Sequence, residues 1–284
     1  MNIDTLIEKD VSSLTKKEAI VLSEHYDYLS KKYTAYEQAV KVTLNSIYGA
    51  FGNKWFHFFN IDIAESITLQ GQAAILYSEE RLNLYFNELW HKDVKVHDYF
   101  NIKVSKIKKP SVIYIDTDSC YVQFEEMYDS IEWLGDKLSI DEFIMKLYNI
   151  RLDGFIKNSM EKYSVNLNTE NYLFFDLETI SYSGIWLSKK KYLQDIAWID
   201  MLDEDERFKA LSKIKTVGFD IIQSSTPTVA RKQLTKAVEI LLSEKPTAST
   251  IAKLVEFLKK SKKEFKLANI DDVCFNKKTN NINK

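Results

Sequence analysis

The chain has 284 residues, 45% of them apolar and 13% aromatic, which is enough to bury one or two sizeable cores and excludes a disordered segment. Its two cysteines, Cys120 and Cys274, match no disulfide or metal spacing, and no run of about 18 apolar residues argues for a membrane span. The net charge of −2 hides an uneven distribution: residues 251–284 carry nine Lys against four acidic residues, +5, which leaves −7 for the rest and gives the C-terminal stretch a surface suited to phosphates.

In chain order, Thr15-Lys-Lys-Glu18 is a capping-box pattern followed by an apolar-periodic run. Two helices are predicted from it, over 15–31 and 33–51, as an antiparallel or bent pair. A further helix starts at Asp62 and should reach about Trp90. Residues 94–110 are polar and lysine-rich and read as loop or edge strand. Val112–Phe124 is β-rich except for Asp-Thr-Asp-Ser in its middle, which predicts a hairpin turning at the acidic residues. Residues 139–164 read as helix, and 172–182 and 186–200 as strands separated around Lys189–Lys191. Thr226-Pro227 predicts a helix start with Thr as N-cap, followed by helices over 228–243 and 248–265. The opening M-N-I-D-T-L lacks the pattern of a signal peptide. A cytoplasmic chain without a membrane partner is therefore expected.

Three constellations carry chemistry. Lys41, Asn45 and Tyr48 stand at i, i+4 and i+7 and share one helix face. A cation, an amide and a phenol in a column can meet a triphosphate, a base edge and a sugar; a solvated face with Tyr48 half buried is an equal reading. Tyr114-Ile-Asp116-Thr117-Asp118-Ser119 places two carboxylates in a tight turn between apolar strands. Their repulsion raises the cost of ionising both unless a cation lies between them, and Mg²⁺ accepts a few carboxylates completed by water and phosphate oxygens. An Asx-type turn also favours these residues. Ser188-Lys189-Lys190-Lys191-Tyr192 lies in a β-like stretch, where alternation sends Lys189 and Lys191 to one face and Lys190 to the other. A soluble edge is the plainer reading of three lysines in a row.

In combination, the order K-x-x-x-N-S-x-Y-G, Y-x-D-T-D-S and K-K-x-Y, with about 70 residues between successive motifs, resembles the family B DNA polymerases. Gly218-Phe-Asp-Ile-Ile-Gln-Ser-Ser-Thr-Pro227 and Ala64-Glu-Ser-Ile-Thr-Leu-Gln-Gly-Gln72 resemble the T-even bacteriophage type in particular, and the resemblance spans nearly the whole chain. It implies an α+β fold: the second half of the fingers over 1–60, a palm with an antiparallel sheet over 61–222, and the start of a helical thumb over 223–284. It implies two Mg²⁺ ions, with Asp118 the principal ligand, Asp116 its supporting carboxylate and Glu178 a further palm carboxylate. Two such ions about 3.5–4 Å apart activate a 3′-hydroxyl and stabilise the leaving pyrophosphate. Lys41 would contact the triphosphate of the incoming dNTP. Asn45, Tyr48 and Thr117 would line the nucleotide, and Ser119, Lys189, Lys190, Lys191 and Tyr192 the primer–template DNA. Phe175-Asp-Leu-Glu-Thr179 also resembles a proofreading-exonuclease motif, but it follows the D-T-D-S turn instead of preceding it, which favours a palm strand carrying Glu178.

The family's D-x-x-S-L-Y-P-S motif has no counterpart here. A split enzyme is therefore expected, its upstream polypeptide bearing that motif and the exonuclease, with a sliding clamp as a further partner. Two other classes stay open. One is a catalytically inactive, polymerase-like DNA-binding module, against which the intact Lys41, Asp116 and Asp118 argue. The other is a template-independent nucleotidyl transferase, against which the base-pair-facing helix column argues.

Overall fold

A computed structural model describes residues 3–199, 214–223, 225–242 and 247–275. The chain divides into two compact units, Met1–Ala74 and Ile75–Lys284.

The first unit is helical. After the short helix α1 (Ile3–Ile7), α2 runs unbroken from Lys16 to Gly52, about 55 Å at 1.5 Å per residue. Thr15 and Glu18 close the capping box: the Glu18 amide donates to Thr15 Oγ1 at 3.4 Å and the Thr15 amide to Glu18 Oε2 at 2.9 Å. Lys9, 2.7 Å away, is the largest of the influences that lower the Glu18 pKa to about 2. The predicted break near residue 32 is absent. Ser30-Lys-Lys-Tyr33 holds no Gly or Pro, and the Lys31–Asp27 pair, at 2.6 Å, bridges the turn just before it. The chain then turns through 53–60, where Asn60 Oδ1 accepts the Ile63 amide at 3.1 Å and starts α3 (Ile61–Leu84).

α2 has no buried residue. Along it Leu22, Tyr26, Leu29, Tyr33, Tyr36 and Val40 follow one another at alternating spacings of four and three, and Ile47 continues the row. Tyr33 and Val40 are 62% and 59% exposed. That is the a/d pattern of a coiled-coil seam.

In the second unit, α3 continues through a π turn at Tyr85–Leu89 and a 3₁₀ turn at Trp90–Lys92. Around Tyr85, Phe86 and Trp90 the core gathers Met127, Phe143 and Leu147, all essentially sealed from solvent. Residues 94–110 are not a simple loop. Val94–Phe100 forms α4, ended by Asn101 in the left-handed region at φ 51°, and Ile102–Lys103 (β1) pairs with Glu132–Trp133 (β4). Val96 and Phe100, one helical turn apart, bury a face that the lysine content disguised.

The predicted hairpin is present as β2 (Val112–Asp116) and β3 (Ser119–Val122), antiparallel. A short helix, α5 (Glu125–Asp129), precedes β4, and then come α6 (Ile140–Leu147), a π turn at Tyr148–Leu152 and α7 (Asp153–Asn166). Asp93 accepts from Arg151 at 2.6 Å and from the Tyr85 hydroxyl at 3.3 Å, pinning the two π turns to each other. Residues 172–178, expected as strand, lack ladder partners. Two of their amides turn to side chains instead, Leu173 to Asn171 and Leu177 to the Tyr148 hydroxyl. The strand begins only at Thr179. β5 (Thr179–Ser188), β6 (Lys191–Ile199) and β7 (Ile214–Val217) form an antiparallel sheet in chain order.

Helices α8 (Thr228–Leu242) and α9 (Ala248–Leu267) follow, with a single turn, α10 (Ile270–Val273), behind them. Val238 and Leu242 of α8 pack on Leu193. Thr226 is not an N-cap: it is buried and donates to the Asp220 carbonyl, and the helix starts after Pro227. The whole is an α+β fold. No helix among the described residues is long and apolar enough to cross a membrane.

Candidate active site

Asp116 ends β2, Ser119 opens β3, and the two pair across a loop of only Thr117 and Asp118. Thr117 sits at φ 56°, and the Asp118 amide donates to the Asp116 carbonyl at 2.6 Å. A β-branched residue in that region costs of order 1–3 kcal/mol and persists only where its surroundings enforce it. The Thr117 hydroxyl donates to Asp116 Oδ1 at 3.1 Å and the Ser119 hydroxyl to Asp118 Oδ1 at 3.3 Å, so neighbouring groups steady both carboxylates.

Pairing sorts the hairpin into two faces. Ile115, Cys120 and Val122 pack against the core, while Tyr114, Asp116, Ser119 and Tyr121 occupy the other face. Asp116 is half-buried and Asp118 exposed. Tyr121 donates to the Tyr192 hydroxyl at 2.9 Å. Burial, that hydrogen bond and then the charges of Asp116 and Glu178 hold its phenol well above the usual range. Asp116 and Glu178 therefore act on one hydroxyl. Asp118, Ser119 and Glu178 line a cavity of about 1510 Å³ that is open to solvent and floored by apolar side chains such as Ile144 and Leu152. Asp116 is not part of its wall.

Among the described residues no three Asp, Glu, His or Cys side chains converge as a ready-made metal cage. Asp116, Asp118 and Glu178 surround the same hairpin without forming one. Two hard-oxygen carboxylates on one tight turn fit the sparse protein ligation that Mg²⁺ takes when phosphates and water supply the remainder.

The lysine segment differs from its expectation. Ser188 pairs with Lys191, so Lys189 and Lys190 are the hairpin loop between β5 and β6, and strand alternation does not sort them. All three lysines are exposed, and Tyr192 is buried against Tyr121 and Tyr114 with ring centroids 5.4 and 6.0 Å away. Sequence reasoning missed what holds this loop. The Lys190 amide donates to the Tyr114 hydroxyl at 2.9 Å. Lys190 stands at φ 58°, and a Cβ placed on Gly218 would lie 1.9 Å from its carbonyl oxygen. Both Tyr114 and Gly218 stood inside recognised motifs; their signal was presence in the motif without an obvious chemical task.

In the first unit Lys41, Asn45 and Tyr48 are exposed on α2. The Tyr48 hydroxyl lies 2.9 Å from Thr68 Oγ1 of α3, which fixes the phenol while the residue stays 46% exposed.

Residues 16–153 match the family model for DNA polymerase family B. The chain is 29% identical over 218 residues to the DNA-directed DNA polymerase of Escherichia phage RB69, which covers 72% of this chain and 22% of that protein. It is 26% identical over 255 residues to the DNA-directed DNA polymerase of Enterobacteria phage T4, covering 86% and 26%. A DNA polymerase of Paramecium bursaria Chlorella virus NY2A is 23% identical over 228 residues, covering 80% and 20%. The match to the family model for DNA polymerase family B thus covers just under half of the chain. The chain spans about a quarter of the length of these phage relatives.

Proposed function

We propose that the chain supplies the second half of the fingers (1–60), the palm (61–222) and the start of the thumb (223–284) of a DNA-directed DNA polymerase that extends a primer 3′-end on a template. The observation that carries this reading is the hairpin turn: two carboxylates, one ending β2 and one in the strained two-residue loop after it, hydrogen-bonded to their neighbours, next to a lysine loop tied to the same strand.

In this reading Asp116 and Asp118 hold divalent metal, with Glu178 as a further carboxylate. When bound, Mg²⁺ supplies charge neutralisation and activation of the primer hydroxyl. Lys41 donates to the triphosphate and stabilises the negative charge that grows on it as pyrophosphate leaves. Asn45 and Tyr48 line the nascent pair, Tyr48 being held upright by Thr68. Thr117 flanks the nucleotide. Ser119 and the exposed Lys189, Lys190 and Lys191 grip the primer strand by phosphate contacts that position without reading sequence, and the buried Tyr192 packs beneath them.

The reaction needs more than this chain brings. A further Asp, of the D-x-x-S-L-Y-P-S type, must come from an upstream segment, on this polypeptide or on another. Three features support such a segment: the incomplete carboxylate set, the open cavity beside the hairpin and the exposed a/d seam of α2, which fits a long apolar-faced helix. The test is primer extension by the chain combined with that segment, with and without template. Template-dependent extension is expected. Extension that ignores the template would mean a terminal transferase, and binding without extension an inactive DNA-binding module.

A further inference from the structure

Resting on the polymerase reading above, we infer that Tyr114 is a positioning residue: its hydroxyl, together with the bare Cα of Gly218, sets the height and orientation of the Lys189–Lys190 loop relative to the carboxylate turn.

Tyr114 and Asp116 are two residues apart on β2, so the phenol and the carboxylate leave the same face of one strand. The Tyr114 hydroxyl accepts the Lys190 amide at 2.9 Å. That bond joins two hairpins that share no strand pairing, since β2–β3 and β5–β6–β7 are separate sheets. The next peptide, on the other side of the Lys190 Cα, is also fixed. The Lys190 carbonyl oxygen rests against Gly218 so closely that a methyl group there would sit at 1.9 Å, and Gly218 itself is at φ 73°. Amide and carbonyl of one residue are thus held from two directions, at a φ of 58° that a lysine rarely adopts. The Tyr121–Tyr192 hydroxyl pair, 2.9 Å apart, adds a second tie just beyond the loop.

A loop of flexible, exposed lysines can bind phosphates anywhere within its reach. Catalysis by proximity requires the primer end to sit within about 3–3.5 Å of the reacting phosphorus. The Tyr114 bond references the lysine loop to the strand that bears Asp116, so a primer strand held by one is placed against the other. Tyr114 touches neither substrate in this role; it acts through Lys190.

The test uses the chain joined by its upstream segment, with Tyr114→Phe and Gly218→Ala as separate variants. Tyr114→Phe keeps the ring packing on Tyr121 and Tyr192 and removes only the acceptor. Its KM for primer–template should rise about fivefold, the size expected for one lost hydrogen bond, while the KM for dNTP stays at the wild-type value. Gly218→Ala should shift the same constant further. Hydrogen exchange of the Lys190 amide, measured on the 284-residue chain without DNA, should accelerate in Tyr114→Phe while the other β6 amides keep their protection. An unchanged Lys190 exchange rate, or equal rises in both KM values, overturns the positioning role and leaves the polymerase reading standing. Failure of the wild-type assembly to extend a primer overturns the polymerase reading itself, and the role with it.

Discussion

Asp118 sits at the exposed tip of a two-residue turn, and a side chain placed there contributes almost nothing to packing. Asp118→Ala should therefore fold normally and bind primer–template within about threefold of wild type, while kcat falls by about 10³-fold or more. A kcat within tenfold of wild type would remove Asp118 from the metal site. Lys41 is equally exposed on α2, yet its loss should read differently. Lys41→Ala should lower kcat/KM for dNTP by about 10²-fold and leave primer affinity alone, because the contact is made to the triphosphate. Cys120 gives an independent check on the hairpin's buried face. Burial, assisted by the nearby Glu79 charge, pushes its thiol up to about 12, whereas Cys274 is exposed. Since the thiolate is the reactive form, iodoacetamide at pH 8 should label Cys274 well before Cys120. Comparable labelling rates would mean that β3 does not lie against the core.

At the scale of elements, a charged pair is read correctly when nothing else can accommodate it. Asp116 and Asp118 in a run of β-formers could only be a turn, and the hairpin follows from that. The Thr15–Glu18 box fixed the start of α2 because capping is local chemistry. It also predicts a pH response. Glu18 would titrate near 4.5 without its partners and titrates near 2 in the fold. Its contribution is complete above about pH 4.5 and is lost as pH falls toward 2, since protonation removes the acceptor for Lys9 and the Thr15 amide. The first turn of α2 should fray over that window, and Glu18→Ala should abolish the window; amide exchange of residues 16–19 reports both. What was illegible is equally specific. The continuity of α2 across Lys32 needed only the absence of a breaker, which a search for boundaries overlooks. Leu173–Glu178 has strand composition, but its amides go to Asn171 and Tyr148. The tie between Tyr114 and Lys190 spans 76 residues, and no periodicity reports a contact at that distance.

For the whole molecule, the decisive question is whether these 284 residues can catalyse anything by themselves. Phosphoryl transfer between two metals needs carboxylates converging from separate strands, and the described residues contain no converging set of three. In the proposed reading, which assigns one metal-binding Asp to an upstream segment, metal should bind more weakly to the chain alone. The surfaces agree with this. A stable protein seldom leaves an a/d row such as Tyr26, Tyr33, Val40 and Ile47 exposed, or a cavity of about 1510 Å³ with an apolar floor open next to its acidic turn. β3 and β5 also present edges without a neighbour in the described sheets, where an added strand would find ladder partners. If the proposed upstream segment is supplied as a separate polypeptide, its association should be large and apolar at its centre and should bury more than about 2,000 Å². The chain alone should show no measurable primer extension, and addition of a polypeptide carrying the D-x-x-S-L-Y-P-S strand should restore it. The same addition should raise the Tm of the complex above that of either part, because a partner that binds only the folded form stabilises it by mass action. Robust template-directed extension by the isolated chain would show that its own carboxylates suffice, and the requirement for an upstream strand would fall.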